Sequence, residues 1–194
     1  MLCLGITGGI GSGKSYVSHI FSALGVPVYE ADAQTKSLYD RDHQLRERLI
    51  ALLGDAIYKA GVLQKEVMAA QIFADSNLLA KVNQLVHPAV IDDFTLWKVQ
   101  QQAPYVILES AIILETPFAS SADKMLTVSA PMHVRLERLC RRDLASAEDT
   151  KRRIERQWSD SMREAKSDFV IHSDGKTPLL PQVLEIHHLM CSYI

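Results

Sequence analysis

Residues 8–15 of the chain read GGIGSGKS and fit the pattern G-x-x-x-x-G-K-[ST], a loop that binds nucleotide phosphates. The apolar run Met1–Ile6 before the loop predicts a buried parallel strand, and the apolar spacing after it predicts a helix over 14–24. This motif requires a strand before it and a helix after it. The sequence therefore predicts a nucleoside triphosphate site at the carboxyl end of the first strand.

Each part of this loop has its own task in holding phosphate. Glycines let backbone N–H groups approach the phosphate oxygens, and the N-terminal end of the next helix adds partial positive charge. The Lys14 ammonium suits the β- and γ-phosphates, and the Ser15 hydroxyl suits Mg²⁺. The residues predicted to bind the nucleotide here are Gly8, Gly9, Gly11, Ser12, Gly13, Lys14, Ser15 and Tyr16.

Further strand-like segments alternate with helical patterns along the rest of the chain. They lie at 26–29, 105–108, 125–128 and 168–171, and their alternation with helices predicts an α/β fold with a parallel sheet. Most of 33–102 has a helical pattern and is expected to form an insertion. Within it we expect Gly54 and Gly61 to separate helical pieces and Pro88 to begin a new helix.

Composition narrows the class of protein. The 194 residues suit one domain with an insertion or two small lobes, and the net charge of −2 argues against a nucleic-acid binder that relies on bulk positive charge. The first apolar run is too short for a signal peptide or a membrane span. Cys3, Cys140 and Cys191 are odd in number and far apart, which indicates reduced thiols in a cytoplasmic protein.

Carboxylates follow two of the predicted strands. Glu30 and Asp32 come after the second strand, and on an extended backbone residues i and i+2 point the same way, so both are expected to face the site. Asp32 is a candidate for orienting or deprotonating an acceptor hydroxyl, while capping of a helix that starts near Ala33 remains an equal alternative. Glu109, at the end of the third strand, is a candidate for holding Mg²⁺ through water.

A charged stretch near the end of the chain suggests a moving part. Residues 135–157 read RLERLCRRDLASAEDTKRRIERQ, and mobile arginines such as Arg142 and Arg153 can neutralise charge during phosphoryl transfer. A solvated helix pair is the alternative explanation for the same composition.

Taken by itself, His87 suggests a structural hydrogen-bonding residue more than a ligand.

Taken together, these segments resemble one family, the dephospho-CoA kinases, over the whole chain. The loop GITGGIGSGKS is similar to the family's phosphate loop, LGVPVYEAD to its next motif, and VNQLVHP to its Leu-Asn-x-x-x-His-Pro signature. Arg142-Asp143 and residues 153–157 are similar to its lid. No single motif is highly specific, but their order and spacing are.

The resemblance implies ATP-dependent phosphorylation of the ribose 3′-hydroxyl of dephospho-CoA, which gives coenzyme A and ADP in the last step of coenzyme A synthesis. It implies a P-loop kinase-like five-stranded parallel sheet flanked by helices. The nucleotide core would comprise 1–32, 104–134 and 165–194, with a helical acceptor region over 33–103 and a helical lid over 135–164.

The resemblance also implies roles for individual residues. The predicted catalytic residues are Asp32, Lys14 and Arg142; Arg142 and Arg153 also bind ATP; Ser15 binds Mg²⁺; and the predicted substrate contacts are Glu30, Asp32, His87 and Glu109. The expected partner is the small molecule dephospho-CoA, without nucleic acid or membrane. The oligomeric state is left open, a monomer included.

Three departures from the family pattern stand out. Glu30 replaces the first Asp of Asp-Ala-Asp, the segment 109–115 lacks the family's proline, and Tyr16 stands where Thr is usual. Other small-molecule P-loop kinases, and a nucleotide-dependent switch or scaffold, remain alternatives. The chain has no N-K-x-D motif, which argues against a small GTPase.

Overall fold

A computed structural model describes residues 1–143, 147–155 and 157–193. The chain divides into two compact units, of which unit 1 comprises Met1–Glu30 with Gln101–Ile194 and unit 2 comprises Ala31–Gln100. The strands are β1 (Leu2–Thr7), β2 (Val28–Glu30), β3 (Tyr58–Lys59), β4 (Val62–Leu63), β5 (Tyr105–Glu109), β6 (Lys124–Ser129) and β7 (Phe169–His172). The helices are α1 (Lys14–Ala23), α2 (Ala31–Arg41), α3 (His43–Leu53), α4 (Lys65–Ala74), α5 (Ser76–Val99), α6 (Met132–Asp143), α7 (Ala147–Glu155), α8 (Asp160–Glu164) and α9 (Leu179–Ser192).

Unit 1 contains the predicted parallel sheet. Its five strands lie in the order β2-β5-β1-β6-β7, and each neighbouring pair is parallel. The prediction of a five-stranded parallel sheet flanked by helices is therefore confirmed. Because all five strands run the same way, their carboxyl ends meet at one edge, which is where such sheets bind ligands.

Buried apolar side chains on both faces hold this sheet in place. All five residues of β5 are buried, as parallel strands covered on both faces require. Val17 and Phe21 of α1 pack into the same core as Val183 and Met190 of α9. α1 ends at Ala23, and Gly25, with φ of 84°, closes it in the left-handed region.

Unit 2 is mainly helical, but Pro88 does not begin a helix as expected. It lies inside α5, which continues from Ser76 to Val99. The buried residues Val82, Val86, Val90 and Phe94 follow one another at four-residue spacing on both sides of the proline. We attribute the continuity to this apolar stripe, whose burial outweighs the hydrogen bond that proline cannot donate.

Gly54 and Gly61 both lie between α3 and α4 and so separate helical segments as expected, and Gly61 also turns a short hairpin that was not predicted. β3 and β4 pair antiparallel, and the two residues between them, Ala60 and Gly61, have φ of 50° and 86°. Two consecutive positive φ values match the tight turns that join paired strands. With two residues a strand, this hairpin is too short to show a period-two pattern. Among the described residues, no helix has both the length and the apolar character needed to cross a membrane.

Gly5 of β1, at the centre of the sheet, is so tightly surrounded that a larger residue there should destabilise the chain. A methyl group added there would lie 2.5 Å from Met125 Sδ and 2.9 Å from the Ala122 methyl. We expect Gly5→Ala to lower the free energy of unfolding by about 1–3 kcal/mol through overpacking, measured by urea denaturation. The loss should be smaller in an Ala122→Gly background, which removes the more rigid neighbour. An unchanged unfolding midpoint for Gly5→Ala would contradict this account of the packing.

Candidate active site

The glycine-rich loop lies at the carboxyl end of β1 and leads directly into α1. Gly8, Gly11 and Gly13 have φ of 154°, 81° and 100°, a region that side chains disfavour. The Ser12 N–H donates to the Gly9 carbonyl at 3.0 Å and closes a turn inside the loop. The glycines of the motif therefore serve the backbone path that brings the loop to the N-terminal end of a helix.

Lys14 and two predicted carboxylates belong to the same sheet edge. Lys14 Nζ lies 3.4 Å from Glu109 Oε1, and both side chains are nearly buried. Glu109 is the last residue of β5 and is in register with Glu30, the last residue of β2. In a parallel pair, residues in register share a face of the sheet, so Glu30 is the neighbour of Glu109 on that face. Glu30 is exposed and Glu109 is buried.

The first turn of α1 carries the two remaining loop residues, Ser15 and Tyr16, and both are exposed. The Tyr16 side chain, 64% exposed, lines an open cavity of about 520 Å³. Arg138 of α6 and the loop after β7, including Ser173 and Thr177, line the same cavity. The phenol therefore forms part of a cavity wall next to the phosphate loop.

Three residues that the sequence did not single out hold the loop. Arg138 Nη1 donates to the Ser12 carbonyl at 3.0 Å and to Ser173 Oγ at 3.0 Å. Gln157 Oε1 accepts the Ile10 N–H at 2.8 Å. Arg135 Nε donates to the Ile10 carbonyl at 2.9 Å. The loop backbone is thus supported from the segment that the sequence predicted as a lid.

The three-residue spacing of Arg135 and Arg138 is a signal in the sequence that could have identified them. Arg135 and Arg138 are three positions apart in the first turns of α6, which follows β6 at the sheet edge where β1 also ends. Residues at this spacing share one helix face. The many charges of the stretch conceal this pair, because composition alone does not separate a buried arginine from a solvated one.

Arg135 is the more buried of the two arginines. Its side chain is 4% exposed, and its Nη1 lies 3.1 Å from Asp160 Oδ1. Burial lowers the pKa of Arg135 below its ordinary value, and the Asp160 carboxylate partly offsets this effect. Asp160 also lies 3.4 Å from Arg163 Nη1, and Arg163 Nη2 lies 3.3 Å from Glu115 Oε1. The loop is therefore connected to a network of alternating charges.

The two arginines that the sequence proposed, Arg142 and Arg153, are exposed on α6 and α7. Arg142 follows Arg138 by four positions and so shares its face of α6, one turn farther along. Contact of either side chain with a nucleotide stays a prediction.

The predicted residues of unit 2 lie on two helices. Asp32 is the second residue of α2, which begins at Ala31, so the expectation that Glu30 and Asp32 share an extended backbone was wrong. The helix starts two residues earlier than predicted, and its first turn is a favourable place for the Asp32 carboxylate. His87 is half-buried in α5, and burial lowers its pKa, which favours the neutral imidazole.

Comparisons with known proteins agree with this geometry. The family model described as dephospho-CoA kinase matches residues 2–178. A dephospho-CoA kinase of Bacteroides fragilis is 41% identical, and the match covers 97% of this chain and 96% of the relative. A crystal structure from Thermus thermophilus has a TM-score of 0.86 and 27% identity, with 97% and 96% of the two chains covered. The fold of a Campylobacter jejuni dephospho-CoA kinase is also shared, with a TM-score of 0.70, 17% identity and 98% coverage of both chains.

The exposed position of Tyr16 predicts a mild substitution phenotype. Because the phenol lines an open cavity, Tyr16→Thr should leave kcat near its original value and change the KM for ATP by less than roughly tenfold. Steady-state kinetics with varied ATP would measure both constants. Tyr16→Phe is the matched control, since it keeps the ring and removes only the hydroxyl. A collapse of kcat in Tyr16→Thr would contradict a role confined to the cavity wall.

Proposed function

The chain belongs to the dephospho-CoA kinase family, and we propose from this premise how its residues transfer the γ-phosphoryl group of ATP to the ribose 3′-hydroxyl of dephospho-CoA. The products are coenzyme A and ADP, and the family's reaction is the final step of coenzyme A biosynthesis. The observation that carries the proposal is the ion pair of Lys14 with Glu109 at the mouth of the glycine-rich loop. It holds a cation where the triphosphate of a bound nucleotide needs one.

The loop and Lys14 bind the phosphoryl donor. Backbone N–H groups of the loop other than those of Ile10 and Ser12, together with the N-terminal end of α1, surround the β-phosphate, and the Lys14 ammonium reaches the β- and γ-phosphates. The ion pair with Glu109, the last residue of β5, orients the Lys14 ammonium. Catalysis then depends on donors that are in place before the reaction starts, which is the main source of charge stabilisation in phosphoryl transfer.

We also propose Mg²⁺ as a cofactor, because the available ligands at this edge are hard oxygen donors. Ser15 offers a hydroxyl, while Glu109 and Glu30 offer carboxylates from neighbouring strands. Within the described ranges, no three His, Cys, Asp or Glu residues cluster as a metal site. This suits an ion held chiefly by phosphate oxygens and water, with one or two protein ligands. When bound, Mg²⁺ would neutralise charge on the β- and γ-phosphates.

The acceptor hydroxyl is assigned to Asp32. Its exposed carboxylate can accept a hydrogen bond from the 3′-hydroxyl and take its proton as the new O–P bond forms. Glu30 and His87 are proposed as further contacts to dephospho-CoA. We assign the helical segment 33–103 to acceptor binding.

We propose that the segment 135–164 contains a lid, in which the part that carries Arg142 and Arg153 closes over the site while Arg135, Arg138 and Gln157 stay attached to the loop. Its exposed arginines, Arg142 and Arg153, would neutralise charge on the phosphoryl group, and closure would exclude water that could otherwise accept it. A cytoplasmic location is also proposed. It is supported by Cys3, Cys140 and Cys191, all of which are free thiols.

Product analysis tests this function directly. The chain incubated with ATP, Mg²⁺ and dephospho-CoA should give coenzyme A and ADP in equal amounts, identified by chromatography and mass. Shikimate and nucleosides serve as alternative acceptors, and Lys14→Ala as a variant expected to lose most turnover. Turnover with another acceptor but not with dephospho-CoA would reject the proposed substrate, and ATP binding without any turnover would indicate a switch or scaffold.

A second test concerns Asp32. Asp32→Asn keeps the size of the side chain but removes its basicity, so kcat should fall by roughly 10²-fold or more while ADP affinity stays unchanged. Steady-state rates and calorimetric ADP titration measure the two quantities. Asp40, exposed eight positions farther along the same helix, provides the matched control as Asp40→Asn. A near-normal kcat in Asp32→Asn would remove Asp32 from the chemistry.

A further inference from the structure

The guanidinium of Arg135 lies directly against the phosphate loop. We propose that Arg135 is a positioning residue for nucleotide binding, which holds the Gly9–Ile10 stretch in its binding shape, and that position 9 has no side chain because the guanidinium occupies that space. The inference deepens the proposed function and rests on it only in taking the loop's ligand to be ATP or ADP.

Gly9 has no space for a side chain beside Arg135. A methyl group added there would overlap Arg135 Nη2, and it would lie 2.5 Å from Cζ and 2.8 Å from Nη1. All three atoms belong to one planar group, so the guanidinium lies across the α-carbon of Gly9. Gly9 is absent from the glycines with positive φ, unlike Gly8, Gly11 and Gly13. Its need for glycine therefore comes from this contact and not from its backbone conformation.

Arg135 also orients the peptide group between Ile10 and Gly11. Arg135 Nε donates to the Ile10 carbonyl at 2.9 Å. In a planar trans peptide the carbonyl and the N–H of the next residue point in opposite directions. Because the Ile10 carbonyl points toward Arg135, the Gly11 N–H points away from it. Arg135 thus fixes the direction of a backbone donor in the loop, and such donors bind phosphate oxygens.

The Arg135 guanidinium is itself held in place by Asp160. Nη1 donates to both carboxylate oxygens of Asp160, at 3.1 and 3.3 Å. Asp160 is the first residue of α8, and it shares its Oδ1 with Arg163, which is fully buried. Arg163 also donates to the Trp158 carbonyl and to Glu115. A side chain held at two of its nitrogens has little freedom to leave Gly9.

The buried position of Arg135 lowers the stability of the folded chain. Arg135 Nη2 is buried and has no hydrogen-bond partner among the described residues. A buried guanidinium N–H without an acceptor destabilises the folded chain. Stability alone would favour a smaller or apolar residue at this position. The arrangement is therefore explained better by what Arg135 does for the loop than by what it contributes to folding.

A double-mutant cycle with ADP and Mg²⁺ as the probe tests the inference. Gly9→Ala should weaken ADP binding by roughly tenfold or more, because the methyl group and the guanidinium cannot share one space. Arg135→Ala should weaken ADP binding by roughly tenfold, because the loop loses its support. The double variant should bind no more weakly than Arg135→Ala alone, since the methyl group then has room. Isothermal calorimetry measures all four affinities.

If the two positions were independent, the double variant would lose the product of the single effects, roughly 100-fold, and that result overturns the inference. So would a Gly9→Ala variant with the original ADP affinity. Arg141→Ala is the matched control, because Arg141 is on the same helix and its exposed side chain pairs with Glu137 at 2.8 Å. It should leave ADP binding unchanged.

Arg135→Lys provides a second background if Arg135→Ala does not fold. A lysine keeps a cation for Asp160 but lacks the planar fork, so its flexible ammonium can move away from a methyl group at position 9. Gly9→Ala should again cost less in this background than in the original chain, and an equal cost overturns the inference. In turnover, the Arg135 variants should change the constants for ATP and leave the KM for dephospho-CoA unchanged. A general loss of folding would not produce that split.

The two hypotheses fail separately. ADP binding needs no acceptor, so a chain that shows the predicted coupling but does not phosphorylate dephospho-CoA would reject the proposed substrate and keep the role of Arg135. A chain that makes coenzyme A but shows independent effects at positions 9 and 135 would keep the proposed substrate and reject the role of Arg135.

Discussion

The central place of β1 in the parallel sheet is the constraint on which the rest of the site depends. β1 pairs with β5 on one side and β6 on the other, and this pairing aligns Ile6 with both Glu109 and Leu126. The glycine-rich loop therefore leaves the sheet between the ends of two strands. One strand end supplies the acid that holds Lys14, and the other leads into the helix that supplies Arg135. A shift of this register would separate the loop from both.

The fold could be predicted from the sequence wherever the information is local. The strand, loop and helix at the start of the chain are specified by a contiguous motif, and Gly25 marks the end of α1 by its own backbone preference. Prediction failed where a distant surface outweighed a local preference. Pro88 indicates a helix start, yet the apolar stripe Val82–Phe94 carries α5 through it, because burial along a helix is decided by what it packs against.

The same distinction separates the predicted and the missed parts of the site. Lys14, Ser15 and the loop glycines are defined by neighbours in sequence, and Glu109 by the end of an apolar strand. Arg135 and Arg138 become functional only through contacts with the loop, and the composition of their segment does not distinguish them from exposed arginines nearby, although their spacing places both on one helix face. Asp32 shows a third situation, in which the residue was predicted but its backbone was not, since α2 begins at Ala31, directly after β2, where an extended backbone was expected.

The long separation in sequence between the loop and its supports has a consequence for how the protein is made. Ile10 is joined to Arg135 and Gln157, 125 and 147 positions farther along the chain. A ribosome delivers the loop first and these partners much later, so the loop leaves the ribosome without the contacts that shape it. A ligand stabilises only the states that bind it. ATP can therefore stabilise the shaped loop only after residues 135 and 157 have been made, and the part of the chain before them is synthesised without help from the nucleotide.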